Sequence, residues 1–128
     1  MKEIQVIHSE QAPKAVGPYS QAMMHGGMLF TSGQIGLDPA TGALADEGVE
    51  AQTGQVTRNL SAVLDAAGAS VADIIKVNIY LTDMGDFPLV NAIYADWLAE
   101  HRPARATVAV AALPLGAKIE MDLIARAS

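Results

Sequence analysis

The pattern of hydrophobic and polar positions predicts a short first strand, a loop and then a hairpin. Apolar and polar residues alternate over 4–8, and prolines and glycines mark the loop that follows. Residues 22–25 and 28–31 then flank Gly26 and Gly27. A glycine pair suits a two-residue turn because both turn positions need a positive φ.

Helical spacing of apolar residues occurs twice. The first helix is predicted over about 49–67, with Asp46 as a candidate N-cap and Gly68 at the C′ position. Gly54 lies inside this helix at a cost of about 1 kcal/mol relative to alanine, and a close helix–sheet contact is the simplest explanation. A second helix is expected to follow Asp86, which caps it, with Pro88 in its first turn. Its stripe has six members: Phe87, Val90, Asn91, Tyr94, Trp97 and Leu98.

Three more strands are predicted, one from Ile75 to Leu81 with a single buried face and two at about 105–111 and 117–125. The order of strands, helix, strand, helix and two strands predicts one α+β domain over residues 1–128. Such a domain has a single mixed β-sheet with both helices on one face. The other face of the sheet must be covered, and a sister subunit is the simplest cover.

Composition narrows the classes of function. Hydrophobic residues make up 51% of the 128 residues and charged residues 17%, so an ordered core is expected. The net charge of −6 disfavours nucleic acid as the main partner, because phosphate backbones are repelled. There is no cysteine, which excludes disulfides, thiolate metal sites and a cysteine nucleophile. The three histidines lack paired ligand spacing, so no metal is expected.

The N-terminus carries an acidic residue and has no apolar core of signal-peptide length. No stretch approaches the roughly 20 apolar residues that span a bilayer. We therefore expect a cytoplasmic protein that does not enter the membrane.

Arg105 is the strongest candidate for chemistry. It begins a strand whose other residues are small or apolar. Burying an arginine in such surroundings costs free energy unless an anion pairs with its charge. Two interpretations are equally open from spacing alone. Arg105 either pairs with Glu120 on the neighbouring strand or grips a substrate carboxylate through its planar, forked guanidinium.

Glu120, Asn91 and the pair Ser32-Gly33 each have a structural and a functional interpretation, whereas Tyr19 has only a structural one. Glu120 lies on the polar face of its strand, which is either solvated or places a general base near substrate. Asn91 interrupts the apolar stripe of the second helix, where a buried amide serves as a tether or contacts substrate. Tyr19 lies on a loop, where a lone tyrosine packs with its hydroxyl reaching water. Ser32-Gly33 ends a strand as a turn, or as a place where backbone approaches a ligand.

Several short motifs follow one another over most of the chain. They are GPYSQA at 17–22, TSGQI at 31–35, DPATG at 38–42, PARA at 103–106, LP at 113–114 and IEM at 119–121, with Asn91 in the second helix. This ordered set resembles the reactive intermediate deaminase (Rid) family, the enamine/imine deaminases. The PARA motif is its most specific element.

The resemblance implies a homotrimer of chorismate-mutase-like fold, with active sites between subunits and no cofactor or metal. It implies hydrolysis of 2-aminoacrylate and related 2-imino acids to 2-keto acids and ammonia. Arg105 then clamps the substrate carboxylate and Glu120 holds or activates water. Some members have cysteine where this chain has Thr107, and we expect little loss because the backbone there contacts ligand. The remaining pocket residues implied are Tyr19, Ser32, Gly33 and Asn91.

Three other functions compete with this interpretation. A non-catalytic module that senses small carboxylates such as keto acids needs the same arginine. An RNA-directed activity, attributed to some relatives of the family, is disfavoured by the acidic charge and the lack of a basic stripe. A holdase-like role has only the apolar composition in its favour.

Overall fold

The computed structural model describes residues 3–128, and over that range it has two α-helices and one seven-stranded sheet. The helices are α1 (Val49–Ala66) and α2 (Phe87–Leu98). The strands are β1 (Gln5–Ile7), β2 (Ala22–His25), β3 (Met28–Thr31), β4 (Gln34–Ile35), β5 (Ile74–Leu81), β6 (Ala104–Ala109) and β7 (Ile119–Arg126). The predicted α+β class is confirmed.

The sheet is mixed, with β7 near its centre. The strand order is β1-β2-β3-β7-β5-β6, and β4 also pairs with β7, beside the residues with which β7 begins. Only β5 and β6 run parallel; every other pairing in the described sheet is antiparallel. This order makes β6 an edge strand that has a neighbour on one side only.

Alternate residues of β5 and β7 divide the sheet into a helix face and an open face. On the helix face, Val77, Ile79 and Leu81 are fully buried and belong to one apolar cluster with residues of both helices. The prediction that both helices lie on one face is confirmed. The open face carries four exposed apolar side chains among its strands: Val6, Met23, Phe30 and Val108.

Most local predictions hold to within a residue or two. The hairpin turns at Gly26 and Gly27 with φ of 59° and 79°, as two left-handed positions require. Helix α1 ends one residue before the predicted limit, and Gly68 follows it with φ of 73°. The first strand forms within the predicted range as β1, with Ile7 buried and Val6 exposed.

Three local expectations are wrong. Gly48, not Asp46, is the N-cap of α1, and the Asp46 carboxylate accepts a hydrogen bond from the Glu47 N–H instead. Ile75 is exposed because a β-bulge between Ile74 and Lys76 shifts the register there. Among the described residues, a Cβ on Gly54 would meet only the Arg58 guanidinium, at 3.4 Å, so this glycine serves no helix–sheet contact there.

The close contact with α1 is made by Gly36 instead. A Cβ on Gly36 would lie 2.8 Å from both the Cα and the carbonyl oxygen of Gln52. The buried Gln52 amide accepts a hydrogen bond from the Lys118 N–H at 2.8 Å and donates to the carbonyls of Asp46 and Glu47. One side chain thus joins α1 to the segment before it and to the approach to β7.

Candidate active site

Arg105 lies on β6, and its guanidinium is held by neutral groups of α2. Its Nη1 donates to the Asn91 Oδ1 at 2.7 Å, and its guanidinium carbon lies 5.1 Å from the ring centres of both Phe87 and Tyr94. Aromatic faces attract a cation through the ring quadrupole without neutralising it. Within residues 3–128, Arg105 forms no ion pair with a carboxylate. Its charge therefore remains available to an anion.

A cavity of about 530 Å³ adjoins this guanidinium. Its lining is Asn91, Tyr94, Ala95, Arg102, Pro103 and Arg105, a set that contains two cations and no acid.

Asn91 is exposed rather than buried, so the expectation of a buried amide in the stripe of α2 is wrong. The residues of α2 that enter the core are Val90, Tyr94 and Leu98. The amide of Asn91 instead serves Arg105, and its neutral oxygen orients the guanidinium without cancelling the positive charge.

The edge of β6 adds backbone donors beside Arg105. The Val110 N–H donates to the Leu81 carbonyl at 2.7 Å, so residue 110 faces β5. Successive residues of a strand turn their N–H and C=O groups to opposite sides. Arg105 and Thr107 therefore direct theirs outward, where the described sheet has no further strand.

Glu120 lies on β7 directly against Gly33. A Cβ on Gly33 would be 2.7 Å from the Glu120 Cδ, so only glycine leaves room for the carboxylate here. Burial raises the pKa of Glu120, and the negative charge of Asp122 raises it further. A carboxylate with a raised pKa accepts a proton from water more readily near neutral pH.

A second cavity, of about 360 Å³, contains Glu120. Tyr19 and Gly33 also line it, and Tyr19 is 52% exposed. Val16 and Leu115, both well exposed, form part of the surrounding wall. Three of the predicted pocket residues are therefore brought together in this cavity.

Ser32 and Thr107 line neither cavity. The Ser32 hydroxyl donates to the Ser20 carbonyl at 2.6 Å and thereby ties the end of β3 to the loop before β2. The Thr107 Oγ1 is buried without a hydrogen-bond partner among the described residues. Contact between the residue 107 backbone and a ligand stays a prediction.

Arg105 and Glu120 lie on opposite faces of the sheet within one chain. Arg105 pairs in register with Val77 on the helix face, whereas Glu120 pairs with Tyr80 on the open face. Residues directly opposite each other on paired strands share a face. The alternative in which Arg105 and Glu120 form an ion pair is therefore wrong, and each candidate group lies in its own cavity.

Sequence reasoning missed the roles of Phe87 and Tyr94, which it assigned to the apolar stripe alone. A signal was present, since these residues lie one helical turn before and after Asn91 and so share its face. That the side chain of Arg105 reaches this face of α2 was not visible in the pattern.

Within the described residues, no three His, Cys, Asp or Glu side chains gather so as to hold a metal ion. In the same range, no helix is both long and apolar enough to cross a membrane.

Comparisons with known proteins agree with this architecture. A RutC family protein of Pyrococcus horikoshii is 49% identical, with 98% of each chain covered. A Salmonella typhimurium protein named 2-iminobutanoate/2-iminopropanoate deaminase is 47% identical over 93% of this chain and 94% of its own. A Rid family protein of Yersinia pestis superposes with a TM-score of 0.95 at 45% identity, covering 97% of this chain and 99% of the other.

The family model described as Endoribonuclease L-PSP matches residues 9–127, which is nearly the whole chain. This match includes both cavities, and the similarity to Rid proteins extends to sequence and fold alike. The chain therefore belongs to the Endoribonuclease L-PSP family, which includes the reactive intermediate deaminases.

Proposed function

We propose that this protein hydrolyses reactive enamine and imine intermediates, 2-aminoacrylate and related 2-imino acids, to 2-keto acids and ammonia. The observation that carries the proposal is a guanidinium, Arg105, oriented by an amide and two aromatic rings but paired with no carboxylate of residues 3–128. The names of close relatives as 2-iminobutanoate/2-iminopropanoate deaminases support it.

Arg105 binds the substrate carboxylate through its guanidinium, and the outward N–H of Thr107 is a further donor nearby. An enamine such as 2-aminoacrylate first tautomerises to its imine, in which one N–H proton has moved to the terminal carbon. Bound in this way, the imine carbon is held for attack by water. Orientation of two reactants is worth several kcal/mol of barrier, so fixing the substrate is a large part of the catalysis.

Glu120 accepts a proton from water as the water oxygen bonds to the imine carbon, and the C=N electron pair moves to nitrogen. The resulting tetrahedral carbinolamine receives the proton from Glu120 on its nitrogen. The hydroxyl proton of the carbinolamine then passes to the nitrogen by way of Glu120, the oxygen electron pair forms the carbonyl, and the C–N bond breaks to release ammonia. One water is consumed, and Glu120 returns to its starting state.

These steps need Arg105 and Glu120 at one site, although one chain holds them on opposite faces of its sheet. We infer that the site lies between subunits of a homotrimer, with Arg105 supplied by one subunit and Glu120 by its neighbour. The exposed apolar side chains of the open face, including Phe30 at 46% exposure, support burial of this face in such an assembly.

The activity is tested by comparing wild type with Arg105→Ala in an assay where a dehydratase releases 2-aminoacrylate from serine. Arg105→Ala should keep its fold and lose about 100-fold or more in kcat/KM, because two charge-assisted bonds of about 1.5–3 kcal/mol each are removed. Arg58→Ala, which removes the same charge from α1, is the control. A folded Arg105→Ala protein that still accelerates keto-acid formation would refute the proposal.

A non-catalytic carboxylate sensor is the second candidate, since the same guanidinium would serve it. The same assay separates the two functions. A sensor binds keto acids through Arg105 but leaves the lifetime of the imine unchanged.

The shared site is tested by complementation between two inactive variants, Arg105→Ala and Glu120→Ala. After unfolding and refolding together, about a quarter of the sites in a random trimer pair an intact Arg105 with an intact Glu120 of a neighbour. Activity should return to about that fraction of wild type. The control mixes Arg105→Ala with the double variant, which can form no intact site. Failure of the first mixture to regain activity, despite mixed trimers, contradicts a shared site.

A further inference from the structure

The cavity beside Arg105 contains a second guanidinium, that of Arg102. None of the described residues that line this cavity is acidic, although the chain as a whole carries a net charge of −6. Two of its eight lysines and arginines thus share one cavity, separated in sequence by Pro103 and Ala104. One monocarboxylate accounts for one of these cations and leaves the other without a role in binding.

Arg102 is held in place by backbone oxygens at the end of α2. Its Nη1 donates to the Ala99 carbonyl at 2.6 Å and to the His101 carbonyl at 2.8 Å. Within the described residues, its Nε and Nη2 have no hydrogen-bond partner, and the side chain forms no ion pair. These nitrogens keep donors for an anion while the anchored Nη1 limits the freedom that binding would remove.

Both guanidiniums act on the same phenol. Burial raises the pKa of Tyr94, and the charges of Arg105 and Arg102, in that order, oppose the rise. Tyr94 also lines the cavity, and its ring lies under Arg105. The two positive charges therefore bear on one small region rather than on separate surfaces.

We propose that Arg102 binds a second acidic group of the substrate, so that the site accepts the 2-imino dicarboxylates formed from acidic amino acids. This inference rests on the proposed function and names its substrate class. Arg105 holds the carboxylate next to the imine carbon, and Arg102 holds the carboxylate of the side chain. Three residues of extended chain span about 10 Å at most, so two arginine side chains separated by this interval can converge on a four- or five-carbon diacid.

The test compares wild type, Arg102→Gln and Arg102→Lys on two imines made in situ by amino-acid oxidases, one from glutamate and one from alanine. The quantity compared is the kcat/KM for the dicarboxylate divided by the kcat/KM for the monocarboxylate. Arg102→Gln should lower this ratio by roughly tenfold or more, because a charge-assisted contact is removed. Arg102→Lys should restore part of this ratio, because it returns the charge. Arg58→Gln, with the same change in net charge on α1, should leave the ratio as in wild type.

Binding gives a second readout that needs no turnover. Calorimetry should show that Arg102→Gln lowers the affinity for 2-oxoglutarate, relative to the affinity for 2-oxobutanoate, by a similar factor. An unchanged melting temperature would show that the variant is folded. An unchanged ratio in both measurements, or an equal loss for both ligands, overturns the role of Arg102. Wild type that hydrolyses neither imine points instead to failure of the proposed function, whereas activity on the alanine imine alone would sink only this inference.

Discussion

Replacing Asn91 with aspartate tests whether Arg105 must be oriented by a neutral group. The two side chains are nearly the same size, so the contact of 2.7 Å with the Arg105 Nη1 can be kept. Aspartate adds a negative charge at the point where a substrate carboxylate needs a positive one. The hydrogen bond that now orients the Arg105 guanidinium would then become an ion pair, and this ion pair would compete with the substrate.

The size of the effect follows from the distance and the surroundings. Two unit charges about 4 Å apart interact by about 1 kcal/mol in water and about 4 kcal/mol near a protein surface. Asn91 and Arg105 are both exposed in the described chain, so the lower part of this range applies. We expect about 1–2 kcal/mol, which weakens carboxylate binding by roughly 5- to 30-fold.

The assay measures the dissociation constant of 2-oxobutanoate and the kcat/KM for the imine of alanine. Asn91→Ala, which removes the hydrogen bond without adding charge, is the matched control and should lose less than Asn91→Asp. In an Arg105→Ala background the aspartate should have almost no further effect, as a double-mutant cycle reports. Equal affinities of Asn91→Asp and wild type would refute the argument that the neutral amide preserves the charge.

Two further predictions concern Glu120. Gly33→Ala should lower kcat/KM by about tenfold with little change in melting temperature, because the new Cβ displaces the carboxylate, a flexible group, rather than backbone. Gly48→Ala, whose Cβ meets nothing within 4 Å, is its control, and full activity of Gly33→Ala would contradict the prediction. Since the folded-state pKa of Glu120 is raised, its stabilising contribution is complete below the ordinary value of 4.5 and is lost as the pH rises through the raised value. Glu120→Gln should therefore be inactive, yet unfold at a higher urea concentration than wild type at neutral pH. This difference in the urea midpoint should disappear in acid. Equal midpoints at neutral pH would argue against a destabilising charge on Glu120.

Much of the fold could be predicted from local patterns. The glycine pair at Gly26-Gly27 and the periodicity of α1 are signals that a few neighbouring residues determine, and the structure confirms them. The bulge at Ile75 could not be predicted, because the alternation of apolar residues over 75–81 is that of a regular strand with no interruption. It depends on how β5 meets β7, a partner far away in sequence.

The candidate site was predictable as a set of residue types but not as an arrangement. Arg105 stood out because of its apolar neighbours, and Glu120 because of the family motif. Nothing in the spacing indicates that β6 and β7 are separated by β5, or that the two side chains emerge on opposite faces. That arrangement follows from strand order and register, which long-range pairing decides.

The contact between Gly36 and Gln52 has a consequence for how this scaffold can acquire new substrates. Because the Gly36 backbone lies against that of Gln52, and the Gln52 amide bonds to two further segments, this contact tolerates neither a larger residue at position 36 nor a displacement. The rim of the Glu120 cavity is different, since Val16 and Leu115 are 86% and 71% exposed and can change size freely. Among related proteins, changes in substrate specificity should therefore accumulate at Val16 and Leu115, whereas the contact between Gly36 and Gln52 should stay unchanged.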